Sequence, residues 1–170
     1  RVVVSELPPS AVIMAVGCEK AEILSTICEQ EKTVITGVLS AVAYIKEDKT
    51  VLAHVGDTRI YAFLNGEIVF RTLDHSASQL AVTVGEITAD EIRQHADRNV
   101  LTRVLGATET VKPDITVLKN SDFDALLLCS DGFWEYVLES EMENAAQSSA
   151  TAKEWLGKMN AIRLSRAPEN

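Results

Sequence analysis

The run Leu126-Leu127-Leu128-Cys129-Ser130-Asp131-Gly132-Phe133-Trp134-Glu135 joins an unbroken apolar stretch to a carboxylate, a glycine and two bulky aromatics. An apolar run of this length that ends in turn chemistry predicts a strand buried on both faces, which delivers Asp131 to the rim of a sheet. An ionised carboxylate beside apolar strands is costly unless a cation or strong donors compensate it. Asp131 therefore has two readings. In one it ligates a divalent metal ion. In the other it caps the helix that starts near Gly132 by accepting hydrogen bonds from free amides.

A second Gly-Asp pair lies upstream, in His54-Val55-Gly56-Asp57-Thr58-Arg59, between strand-like runs over 51–55 and 60–64. Alone it would be a tight turn. The clearest hairpin follows, 60–64 and 67–71 joined by Asn65-Gly66, because Asn-Gly supplies both positive φ angles of a type I′ turn. With a long β-branched strand over 33–45, a polar turn at 46–49 and a strand over 50–55, the region 38–71 reads as an antiparallel meander.

The remaining elements are predominantly helical. Helical spacing is seen over 19–30 and 79–84, and Gly85 closes the latter. Thr88-Ala89-Asp90-Glu91 and Thr151-Ala152-Lys153-Glu154 read as capping boxes, opening a short helix through His95 and a longer one to about Arg166. Residues 99–106 read as a helical or turn segment, 114–118 and 125–129 as strands, and 133–137 and 141–146 as short helices. The prolines at 8 and 9 require a loop or a sheet edge.

Composition bounds the function. The 170 residues, 46% hydrophobic and 24% charged, suit one soluble globular domain. A net charge of -9 argues against nucleic acid or an anionic membrane as partner, since either needs a basic face. Three cysteines, Cys18, Cys28 and Cys129, with no C-x-x-C pair, predict neither a disulfide framework nor a zinc knuckle, and point to a reducing, cytoplasmic setting. No apolar run reaches the roughly 20 residues of a membrane span.

In order, VGDTR, RTLDHSASQLAVTVGEIT, RNVLTRVLG and LLLCSDGFWE resemble the PPM-type (type 2C) metal-dependent serine/threonine protein phosphatases in their bacterial form. The resemblance covers 32–166, matches 1–31 poorly, and implies a single PPM-type domain over 1–170. It implies an α/β (α+β) fold of two mostly antiparallel sheets packed face to face with flanking helices. It also implies hydrolysis of phosphoserine and phosphothreonine by a metal-bound water, on phosphoprotein substrates that a Ser/Thr kinase would supply. By the same resemblance Asp131 and Asp57 are metal ligands for Mg²⁺ or Mn²⁺, and residues 83–98, with Gly85, Glu86, Ile87 and Thr88 at their head, form a mobile flap. Such hard ions prefer carboxylates, and a metal pair about 3.5 to 4 Å apart activates water and clamps phosphoryl oxygens.

Asp74 is a weaker ligand candidate, because D-H-S also reads as a helix cap, and His75 reads as a structural hydrogen bonder. Arg59 and Arg103 read as scaffold salt-bridge partners rather than phosphate contacts. Two parts of the family pattern have no counterpart. The opening Asp-Gly-Met-Gly-Gly strand aligns best with Met14-Ala15-Val16-Gly17, which puts Val16 in place of a bridging Asp. The closing Asp-Asn pair is at best imitated by Glu169. Truncation at both ends and fewer or weaker metal sites are thus expected. A catalytically inactive phosphatase-like module that binds a phosphoprotein or another protein partner is the second reading.

Overall fold

The computed structural model describes residues 12–15, 40–105 and 111–167. The helix expected over 19–30, the start of the strand expected over 33–45, and Val16 and Glu169 lie outside the described residues. Among the described residues, seven strands form two antiparallel sheets. The four-stranded sheet has the order β1 (Val12–Ala15), β2 (Ser40–Ile45), β3 (Lys49–Val55), β6 (Asp114–Lys119). The three-stranded sheet has the order β5 (Glu67–Arg71), β4 (Arg59–Leu64), β7 (Ala125–Cys129).

Strand periodicity explains the layers, since alternate side chains point to opposite faces. On β4 and β7, Ile60, Ala62, Leu126 and Leu128 meet Ala41, Ala43 and Leu52 of the other sheet in one core. Their neighbours Tyr61, Phe63, Leu127 and Cys129 face outward into a second core, built with Phe133, Trp134, Met142, Trp155 and Met159. The second core is capped by helices α2 (Asp131–Trp134), α3 (Glu139–Gln147) and α4 (Ala152–Arg166). The apolar run 126–129 is thus buried on both faces, as its composition predicts.

The β4–β5 turn has φ of 54° at Asn65 and 79° at Gly66, the type I′ signature. A Cβ on Gly66 would come within 2.5 Å of the Gln147 side chain, so this hairpin tip also needs glycine for close approach to α3. α1 (Ala77–Thr83) is capped by the Ser76 hydroxyl, which accepts from the Gln79 amide at 3.2 Å. The segment after Thr88 is a single 3₁₀ stretch, Ala89–Gln94, rather than an α-helix. The 99–106 segment holds no helix among its described residues: a turn ends at Asn99, and Leu101 then bridges to Ser76. The helices expected over 133–137 and 141–146 each begin two residues earlier, because Ser130 and Leu138 stand in extended backbone just before them, and the first already ends at Trp134.

Candidate metal centre

β3 ends at Val55, and Gly56 turns the chain at a φ of 94° that only glycine adopts without strain. His75 holds this turn from both sides: its amide donates to the Gly56 carbonyl at 2.9 Å, and its Nδ1 accepts from the Gly56 amide at 3.1 Å. The next residue, Asp57, is only 4% exposed, and its Oδ1 has no hydrogen-bond partner. Burial pushes the Asp57 carboxyl up to about 6, and the neighbouring charges of Asp131 and Asp74 push in the same direction. An unpaired buried acid of this kind is a functional-site candidate.

Asp131 is the first residue of α2 and is only partly buried; its Oδ1 accepts from the Gly132 amide at 2.7 Å. The capping reading of Asp131 therefore accounts for one oxygen. The two aspartates, 74 positions apart in sequence, are near enough for the charge of one to act on the other. Trp134 holds them in this relation, since it lies in the helix that Asp131 begins and its indole N–H donates to the Asp57 carbonyl at 2.9 Å.

Asp74 has a different fate. Arg59 donates to both its oxygens, Nε to Oδ1 at 2.8 Å and Nη2 to Oδ2 at 2.6 Å. Burial works against the Arg59 charge, but Asp74 outweighs it and raises the guanidinium pKa. The same guanidinium lies 3.5 Å over the Trp134 ring. Glu139 completes this network, accepting from Arg59 Nη1 at 3.3 Å, the Tyr61 hydroxyl at 3.0 Å and Arg93 Nη2 at 2.5 Å. Nothing local in the sequence marks Glu139, whose partners lie 46 to 80 positions away; Trp134 is visible there only as a bulky aromatic after Gly132.

Among the described residues, one other cluster has ligand atoms within 4.8 Å of one another, His54, His75 and Asp114. The hydrogen bonds argue for a scaffold role. Nδ1 of His75 accepts from Gly56, and its Nε2 faces Asp114 Oδ2 and Arg103 Nη1, each at 3.1 Å, so both ring nitrogens are engaged within the protein. A metal on Nε2 would require a proton on Nδ1, facing the Gly56 N–H. His54 Nε2 donates to the Leu73 carbonyl at 2.8 Å, and its ring stacks on His75 at 4.6 Å. Burial lowers the His54 pKa, with His75 adding to the effect, so neutral imidazole is favoured. Arg103 reaches Asp114 Oδ1 at 2.5 Å, a salt bridge as its sequence context indicates.

Of the residues expected to head a flap, Gly85, Glu86 and Thr88 are exposed, whereas Ile87 packs against the helical core. Gly85 has a φ of 80° just after α1. The segment is pinned further on: Ile92 is 1% exposed in that core, and Arg98 Nε donates to Glu135 at 3.2 Å.

The family model described as Protein phosphatase 2C matches residues 13–166. The chain belongs to the protein phosphatase 2C family. It is 36% identical over 118 residues to the serine/threonine phosphatase stp of Listeria monocytogenes, a match covering 69% of this chain and 47% of that protein. Among solved structures it resembles the serine/threonine phosphatase Stp1 from Staphylococcus aureus with a TM-score of 0.71 and 32% identity, over 76% of this chain and 51% of that one. The catalytic domain of the serine/threonine protein phosphatase PstP, solved in complex with two manganese ions, matches with a TM-score of 0.62 and 25% identity, over 76% of this chain and 53% of that one. The chain thus spans about half the length of the relatives it matches. The paired sheets and flanking helices implied by the four sequence blocks agree with this 2C-type fold.

Proposed function

We propose that this chain is part of a metal-dependent protein phosphatase that hydrolyses phosphoserine and phosphothreonine in protein substrates, with Asp57 and Asp131 among the ligands of its divalent ions. The observation that carries this reading is the buried, unpartnered Oδ1 of Asp57 beside Asp131, in a chain whose relatives are serine/threonine phosphatases. The donor chemistry fits a hard cation: two carboxylates whose mutual repulsion a bound ion reverses. When bound, such ions activate water and neutralise charge on phosphoryl oxygens.

The chain's own residues supply position. Gly56 and His75 fix the turn that presents Asp57, Trp134 ties that turn to the Asp131 helix, and the Arg59–Asp74 pair holds Trp134 from behind. Residues 83–98, with Gly85, Glu86, Ile87 and Thr88 at their head, would border the substrate and select its peptide. Cys129, although two residues from Asp131, is fully buried, and burial raises its thiol pKa, so it takes no part as a nucleophile. The ion is Mg²⁺ or Mn²⁺, and the two manganese ions in the PstP complex make Mn²⁺ the one to test first. A Ser/Thr kinase would supply the phosphorylated proteins. A cytoplasmic setting follows from the cysteine usage, three residues with no C-x-x-C pair. Among the described residues no helix is long and apolar enough to cross a membrane.

Manganese-dependent hydrolysis of a phosphothreonine peptide by the intact protein, compared with Asp131→Ala, tests the reading. Loss of a ligand should lower the rate by at least about 100-fold, beyond the usual cost of an outer contact. Equal rates for both proteins would remove Asp131 from the mechanism.

A further inference from the structure

We propose that Arg93 is a positioning residue that couples the seating of the 83–98 segment to the Asp57 turn through Trp134. Its consequence for metal affinity rests on the metal-centre reading above.

Arg93 is unlike its neighbours in the segment. Its side chain is 10% exposed and turns inward beside Ile92, which is itself locked in the helical core. Its Nε donates to the Trp134 carbonyl at 3.0 Å, and its Nη2 reaches the Val137 carbonyl at 3.4 Å and Glu139 Oε2 at 2.5 Å. Carbonyls at the C-terminal end of a helix lack intrahelical donors, so a guanidinium there both satisfies them and suits the dipole. α2 has only four residues and cannot hold its own shape by backbone bonding alone. Arg93 therefore fixes the end of that short helix from outside.

The other end of the relay is equally defined. Trp134, whose carbonyl Arg93 holds, donates its indole N–H to the Asp57 carbonyl. Its ring is covered at 3.5 Å by the Arg59 guanidinium, and Glu139 accepts hydrogen bonds from both Arg59 and Arg93. A shift of the segment that pulls Arg93 away frees the Trp134 carbonyl and unbalances Glu139 together, and both act on the residue that anchors Asp57. A lysine cannot reproduce the fork, because one ammonium cannot serve two carbonyls and a carboxylate in that planar arrangement.

The sign of the effect separates positioning from simple charge. Removing a cation near a metal pocket would by electrostatics alone strengthen cation binding, and replacing it by lysine would leave binding unchanged. Mn²⁺ titration calorimetry on the intact protein should instead show Arg93→Lys weakened on the order of 10-fold, and Arg93→Gln at least as much. Amide hydrogen exchange on the metal-free proteins should show faster exchange at residues 56–58 as well as at 88–94. Unchanged exchange at 56–58, or a lowered unfolding midpoint with Mn²⁺ affinity intact, would overturn the relay and leave Arg93 a stability residue only. If the parent protein binds no Mn²⁺, the metal-centre reading fails, and exchange at 56–58 in Arg93→Lys still decides the coupling.

Discussion

Asp57 and Asp74 are buried to nearly the same degree, 4% and 6% exposed, and face the same turn, yet they are treated in opposite ways. Asp74 meets a guanidinium that serves both its oxygens, and Arg59 is committed to it even at 1% exposure. Asp57 meets a second carboxylate, keeps one oxygen without a partner, and has its pKa pushed up to about 6 by burial and by Asp131. A fold that can satisfy a buried acid with an arginine 15 positions away, and does so once, leaves the other unsatisfied at a cost in stability. Asp74 is therefore part of the scaffold, and the cation-ligand role proposed for Asp57 would account for the acid left unsatisfied.

The largest test removes the arginine. Arg59→Met keeps apolar bulk over Trp134 but leaves Asp74 buried without its pair, which should destabilise the protein by about 3 to 5 kcal/mol in urea unfolding. Manganese should restore little of that loss, because the damage lies at Asp74. A full recovery with Mn²⁺ would erase the distinction between the two aspartates.

The next test has the opposite sign. The folded-state pKa of Asp57, about 6, lies above its ordinary 3.8, so the folded protein binds the proton more tightly than the unfolded chain. Both states are protonated well below pH 4, and no penalty exists there. As pH rises through 4 to 6 the unfolded chain ionises freely while Asp57 resists, and stability falls, by up to about 3 kcal/mol at neutral pH. Asp57→Asn should thus raise the stability of the metal-free protein by about 1 to 3 kcal/mol at pH 7 and change it little at pH 4. Groups held low by cations, such as Glu139, whose burial is outweighed by Arg93, lose their stabilisation in acid instead, so the parent-minus-variant difference isolates Asp57. Mn²⁺ should stabilise the parent more at pH 7 than at pH 5 and leave the variant unmoved. A variant less stable than the parent at pH 7 would make Asp57 an ordinary structural acid.

This contrast also marks where sequence reading succeeds. The apolar run 125–129, the Asn65-Gly66 turn and the Thr151 cap are local features, and each forms where its residues indicate: the strand Ala125–Cys129, the positive φ pair, and a Thr151 hydroxyl accepting from the Glu154 amide. The motif order likewise led to the family. The D-H-S block is instructive because its three residues divide the work, Asp74 to Arg59, His75 to Gly56 and Ser76 to the helix cap, and spacing alone could not assign those partners. Glu139 was illegible for a plainer reason. Its hydrogen bonds join it to Arg59, Tyr61 and Arg93, and an acidic residue in the first turn of a helix already has a sufficient local explanation in the dipole. Three-dimensional register, not residue type, turned it into a hub.

The smallest effect expected sharpens the comparison most, because it touches Asp57 without touching its charge. Trp134→Phe keeps an aromatic ring for Arg59 to cover but deletes the indole N–H that holds the Asp57 carbonyl at 2.9 Å. A buried carbonyl left without its donor costs about 1 kcal/mol or somewhat more, so the unfolding midpoint should fall only slightly. The Arg59–Asp74 pair is spared, since neither of its hydrogen bonds involves Trp134. If Asp57 is positioned for a cation by its backbone tether, Mn²⁺ affinity measured by calorimetry should drop several-fold while the pH dependence of metal-free stability keeps its shape, because burial and Asp131 still act on the carboxyl. A flattened pH dependence with unaltered Mn²⁺ affinity would mean that the tether serves the charge rather than the geometry, and the separation of Asp57 from its scaffold would have been drawn in the wrong place.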